Sequence, residues 1–154
     1  MIKADVLIAN KSWKKYIRNP IGYIDRKLNK INKKTNLFKN NNCNFTLLLA
    51  GDAEVKKLNI KFRKKNKTTD ILSFPFYEKN LLNKLLMKEN KIYLGDIIIN
   101  LAKIKIMKKA ENFNVAFDKI WIHGLAHLLG HRHKSNIDFS IMKKLENKLL
   151  KSTR

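Results

Sequence analysis

The sequence predicts an α+β domain spanning residues 1–154, with about four strands and about five helices. Three observations carry that reading. Short runs of β-forming residues recur between longer segments whose apolar residues fall at helical spacing. The last third of the chain is helical throughout, with no strand to continue an alternation. With 44% apolar residues in 154, the chain can bury one core without disulfides, and no internal repeat or linker divides it.

Residues 4–9 read as the first strand. Asn19 followed by Pro20 then gives an N-cap with proline at the first helical position. In the helix that follows, Ile21, Ile24, Leu28 and Ile31 form an apolar stripe between lysines. The polar run 39–42 ends that segment. Residues 45–50 are a buried strand, and Asp52 is placed to cap a helix over 53–62. Residues 70–76 read as a strand near a sheet edge, because Pro75 lacks the N–H that a central strand must donate. Residues 78–90 are rich in leucine and lysine and fit a short helix or an excursion. Residues 92–100 are β-branched but alternate poorly around Gly95 and Asp96, and they are expected as the last strand. Helices are expected over 101–111, 115–130 and 137–150. Ser135 with Asp138 resembles a capping box for the last of these, and Phe139, Met142, Leu145 and Leu149 are expected to form its buried face.

The formal net charge of +22 sets 34 Lys and Arg against 12 Asp and Glu. A field of that sign attracts phosphate backbones, so nucleic acid is the expected partner. A composition crowded with Lys, Asn and Ile supplies part of the excess without any function, and an anionic membrane surface would fit the same sign. Cys43 is the only cysteine, which excludes an intrachain disulfide and a Cys-rich zinc cluster and suits a reducing cytosol. Residues 1–15 carry charge at Lys3 and Asp5 and lack the apolar run of an export signal. No apolar stretch reaches the roughly 18 residues of a membrane span. The expected location is the cytoplasm, without membrane attachment.

All four histidines fall within eleven residues, His123-Gly-Leu-Ala-His127-Leu-Leu-Gly130-His131-Arg-His133. On a helix, residues four apart stand one above the other, so His123 and His127 can reach one metal ion. Phe117, Trp121, Leu125 and Leu128 point to the opposite side, toward a core. Gly130 can adopt the left-handed conformation that ends a helix and returns the chain toward the histidine stripe, which favours His133 as third ligand. An uninterrupted helix would instead offer His131. Three neutral imidazoles leave a fourth position on zinc open to water, whose pKa the ion lowers to about 7, and an open position means catalysis rather than structure. The zinc-peptidase motif carries its general-base glutamate directly after the first histidine. Here that residue is Gly124, which argues against peptide hydrolysis.

The residues His123, Gly124, His127, Leu128, Gly130 and His133 resemble the signature of the YbeY family of single-strand-specific metallo-endoribonucleases, approximately His-Gly-x-Leu-His-Leu-x-Gly-Tyr-Asp-His. Ala126, His131 and Arg132 depart from it, the last where the family has aspartate. Losing a carboxylate beside the third ligand is expected to weaken metal affinity or to shift the acidity of the bound water. The resemblance extends to Leu58-Asn59, Arg63, Thr69-Asp70, residues 72–76 and residues 94–97, with Met142 and Glu146 echoing the family's C-terminal helix. Thr68 stands where proline is usual, a change expected to loosen a turn and little else. The resemblance implies a zincin-like α+β domain with a small mixed sheet, one Zn2+ on His123, His127 and His133, and a functional role for Arg63. It implies single-stranded RNA as substrate, in maturation of the 16S rRNA 3′ end and ribosome quality control. Physically, a planar guanidinium suits a phosphate in two-point contact. Ser73 and Asp96 read as structural. Two other readings stay open: a metallopeptidase or other metal hydrolase, and a non-catalytic basic protein bound to ribosomal RNA.

Overall fold

A computed structural model describes residues 1–107 and 112–154. Four strands, β1 (Ile2–Ile8), β2 (Asn42–Ala50), β3 (Ile71–Pro75) and β4 (Lys91–Asn100), form one mixed sheet in the order β1-β2-β4-β3. β1 and β4 run parallel to β2, and β3 is antiparallel to β4 at the edge. The helices are α1 (Pro20–Lys34), α2 (Asp52–Arg63), α3 (Lys79–Lys88), α4 (Leu101–Met107), α5 (Phe113–Leu128) and α6 (Asn136–Ser152), with a short 3-10 turn at Lys11–Lys15. The expectation of about five helices becomes six among the described residues because residues 79–88 are helical. The predicted continuation of α4 to Glu111 lies outside the described residues.

Alternation decides the faces of the sheet. Ile2, Ala4, Val6 and Ile8 pair with Cys43, Phe45, Leu47 and Leu49, and this face carries the main core. In β4 the alternation breaks where Phe45 meets both Leu94 and Gly95, because the register shifts between Asn44 and Thr46. Gly95 has φ +132, and a Cβ there would lie 2.2 Å from the Phe74 carbonyl oxygen. The bulge returns Ile97 and Ile99 to the core face, which is why the sequence of this strand alternates poorly.

α1 lays Ile24, Leu28 and Ile31 on the core, whereas Ile21 is exposed, contrary to the predicted stripe. Each buried side chain contributes about 1.5–3 kcal/mol, which outweighs the roughly 1 kcal/mol helix penalty of Gly22. Asn19 caps this helix by accepting from the Gly22 N–H at 2.9 Å. Asp52 is not the cap of α2. Gly51 holds that position, with its N–H donating to Glu54, and Asp52 opens the helix with its carboxylate turned to Asn100 and Thr68. α2 covers part of the opposite sheet face through Val55 and Leu58 over Leu72 and Ile98. α5 crosses the core face beneath β3 and β4 and packs on α6. Along α6 the buried residues are Met142, Glu146, Leu149 and Ser152; Phe139, expected in that face, is exposed because it lies on the outward side of the first turn.

Candidate metal centre

Close packing fixes the helix that carries the histidines. Phe117, Trp121, Leu125 and Leu128 are buried, and Trp121 Nε1 donates to Asp118 at 3.0 Å. Gly124 faces the sheet: a Cβ there would stand 2.8 Å from Ile71 Cδ1 and 2.9 Å from Ile97 Cγ2. A glycine at this position therefore lets α5 approach β3 and β4 closely, and it leaves no room for a glutamate side chain.

The helix ends at Gly130, φ +88, with two closing hydrogen bonds, Gly130 N–H to His127 O at 2.9 Å and His131 N–H to Ala126 O at 3.1 Å. The turn has two consequences. It brings the His133 ring to 5.8 Å from His123 and 5.2 Å from His127, centroid to centroid. It also aims the His131 carbonyl at His127 Nδ1, 2.9 Å away. One potential ligand atom from each of His123, His127 and His133 lies within 4.8 Å of the others, so the three could hold one ion. His131 contributes its backbone to this arrangement, and its side chain lines a neighbouring part of the cleft with Lys79.

Hydrogen bonding fixes the tautomers. A carbonyl only accepts, so His127 Nδ1 carries the proton and Nε2 an open lone pair. His123 Nδ1 lies 2.6 Å from the Glu146 carboxylate, which places a proton on Nδ1 and turns Nε2 toward His127. The two Nε2 atoms face each other at 3.1 Å. Two nitrogens bound about 2.0–2.1 Å from a tetrahedral ion stand about 3.3 Å apart, so the spacing fits a shared zinc-sized cation. Burial, reinforced by the charge His123 would carry, pushes His127 down to about 4 and keeps the ring neutral at pH 7, as a ligand must be.

Glu146 joins the histidines as a buried partner that residue spacing alone does not reveal. Its side chain is 10% exposed, its other oxygen takes Lys143 Nζ at 3.3 Å, and it orients the first histidine from a different helix. A signal was present: a glutamate inside the apolar stripe Met142, Leu145, Leu149 is out of place unless it has a buried partner. Arg132 is exposed and lines the cleft on both sides of His127. The carboxylate that supports an imidazole here comes from α6 rather than from the residue before His133.

The cleft on one side of the histidines encloses about 440 Å³, with Arg63, Ser73, His123, His127 and His133 in its walls. Arg63 is held at the rim, donating from Nη2 to the Ser73 carbonyl at 3.3 Å, with its guanidinium carbon 5.7 Å from the centre of the Phe74 ring. Ser73 Oγ is buried without a hydrogen-bond partner among the described residues. Asp96 lies on the other sheet face and accepts from Tyr93. Thr68 does more than shape a turn, since its hydroxyl links Asp52 to Asn100.

The family model described as Endoribonuclease YbeY matches residues 7–154. The Endoribonuclease YbeY of Pelagibacter ubique is 40% identical over 156 residues, covering 98% of this chain and 95% of its own. That of Thermodesulfovibrio yellowstonii is 34% identical over 158 residues, covering 97% and 91%. The solution structure of TM1509 from Thermotoga maritima superposes with a TM-score of 0.55 at 20% identity, over 98% of this chain and 90% of that one, which supports the fold. No helix among the described residues is long and apolar enough to cross a membrane. A match that runs from Leu7 to Arg154 takes in the histidine helix, its turn and the α6 carboxylate together, and the chain belongs to the YbeY family of endoribonucleases.

Proposed function

We propose that this protein is a zinc-dependent, single-strand-specific endoribonuclease acting in 16S rRNA 3′-end maturation and ribosome quality control. Its partners are then single-stranded RNA and ribosomal particles, and its place of action is the cytoplasm. The observation that carries the reading is the convergence of the His123 and His127 Nε2 atoms at 3.1 Å, each ring held by a hydrogen bond at its opposite nitrogen, with His133 alongside. Two nitrogens at this distance share either a proton or a metal ion, and the third imidazole turned to the same point favours the metal. His123, His127 and His133 are the residues that would hold it. A zinc ion supplies Lewis acidity there, acidifying water and polarising a phosphoryl oxygen.

The chain's own residues supply the rest. Arg63, anchored by Ser73 and Phe74, presents its remaining N–H groups to a phosphate and offsets charge that develops on phosphorus. Arg132 and Lys134 line the same cleft and favour a polyanion. Peptide hydrolysis is disfavoured because the position of its usual base is occupied by a glycine packed against Ile71 and Ile97.

The test incubates purified protein with labelled single-stranded RNA, the matching duplex and casein, each with and without chelator. Cleavage of the single strand alone, abolished by chelator and restored by zinc, is the expected result. RNA cleavage that survives the chelator would refute the metal assignment, and casein cleavage would return the protein to the peptidases. In the same assay His127→Ala removes both bound metal and cleavage. Arg63→Ala lowers turnover by about 10²–10³-fold with metal content unchanged.

A further inference from the structure

α2 leaves part of the outer sheet face open. Beside it runs a groove of about 380 Å³ whose walls include Leu7, Leu48, Phe62, Phe74, Asp96 and Ile98. Leu7 is 54% and Phe62 59% exposed, a large apolar surface on a chain of net charge +22. The Phe62 and Phe74 rings meet edge to face at 5.5 Å, and cations flank both, Lys61 over Phe62 at 5.3 Å and Arg63 over Phe74 at 5.7 Å.

The groove adjoins the histidine cleft across a single strand. Ser73 and Phe74 are consecutive residues of the edge strand β3, so one faces the cleft and the other the groove. Arg63 touches both, through the Ser73 carbonyl and the Phe74 ring. We propose that this groove seats a base of the RNA strand whose phosphate lies at Arg63, stacked against Phe62 and Phe74. The proposal rests on the ribonuclease reading above.

Three features favour a base over other occupants. Exposed aromatic rings with cations around them form a stacking platform for single-stranded nucleic acid. Asp96 and Thr46, bridged by the Tyr93 hydroxyl at 2.5 and 2.7 Å, put a carboxylate and a hydroxyl beside the apolar floor. That combination repels a phosphate and accepts from the amino groups of a base edge. Continuity with the cleft then makes strand preference physical: a base that must leave the backbone line to reach Phe62 is free in a single strand and stacked in a duplex.

The test uses the whole protein in chelator, so that binding is read without turnover. Fluorescence anisotropy compares a short single-stranded oligoribonucleotide with a series of the same length in which one nucleotide at a time is abasic. One position is expected to lose about 5- to 100-fold in affinity when its base is removed. Phe62→Ala abolishes that difference with the salt dependence unchanged, and Phe62→Trp keeps it. Equal affinity across the series in the native protein overturns the proposal. Equal loss in Phe62→Ala for base-bearing and abasic strands also overturns it. Zinc-restored cleavage by the native protein is scored separately: cutting without a base-dependent position sinks the groove alone, and neither cutting nor binding sinks both.

Discussion

Glu146 holds the His123 ring in the tautomer and orientation that expose Nε2, and it does so from a buried position 23 residues along the chain. Removing the carboxylate leaves His123 Nδ1 without its acceptor. Glu146→Ala is therefore expected to lower zinc affinity by about 10–100-fold, measured by competition with a chromophoric chelator. Glu146→Gln keeps an oxygen that can accept the same bond and should lose less; equal affinities for all three proteins would remove Glu146 from the site. The histidines themselves were legible in the sequence because four-residue spacing on a helix is local geometry, and the choice of His133 over His131 followed from one glycine. Glu146 as a partner of His123 was not legible from the residues alone, because the contact depends on how α6 packs on α5.

At the scale of elements, two glycines hold the site's walls in register, and they do so for different reasons. Gly124 brings α5 against Ile71 and Ile97, and Gly95 carries the bulge that resets β4 opposite Phe45. Gly124→Ala gains helix propensity of up to about 1 kcal/mol and loses about 1–3 kcal/mol to overpacking, so a modest fall in Tm is expected. Gly95→Ala must combine φ +132 with a Cβ 2.2 Å from a carbonyl oxygen, and it should cost more. Thermal melts that reverse this order would refute the account of both. The start of α2 adds a pH effect. Hydrogen bonds from Asn100 and Thr68 hold the Asp52 carboxyl below its ordinary range. A depressed folded-state pKa stabilises the fold above the unfolded value of about 3.9 and loses that contribution as pH falls through the folded value. Asp52→Ala should therefore lower the urea midpoint at pH 7, with the gap to the native protein narrowing in acid below about pH 4. Strands and helices with strong periodicity were readable from sequence. The bulge in β4 was not, because a register shift looks like weak alternation, and α3 was ambiguous because Leu82 is its only buried residue.

For the whole molecule, strand order was beyond the reach of local pattern: β4 enters between β2 and β3, although β3 precedes it in the chain. Charge, by contrast, was visible from composition alone, and the fold decides how much of it meets RNA. Diffuse lysines raise the general potential, whereas cations in the cleft neutralise particular phosphates and release their counterions. For a single strand, each phosphate contact contributes about 0.7 to the slope of log K against log salt. Arg63 lines the cleft, so Arg63→Ala should weaken binding and flatten the slope by about that amount. Lys30 lies on α1 and donates to the Arg154 carbonyl at 3.0 Å, outside the cleft walls. Its replacement by alanine should leave the slope close to that of the native protein. Titrations of a short single-stranded RNA at several salt concentrations, in chelator, separate the two cases. If both variants flatten the slope equally, the excess of lysine acts as a uniform cloud, and Arg63 does not hold a defined phosphate.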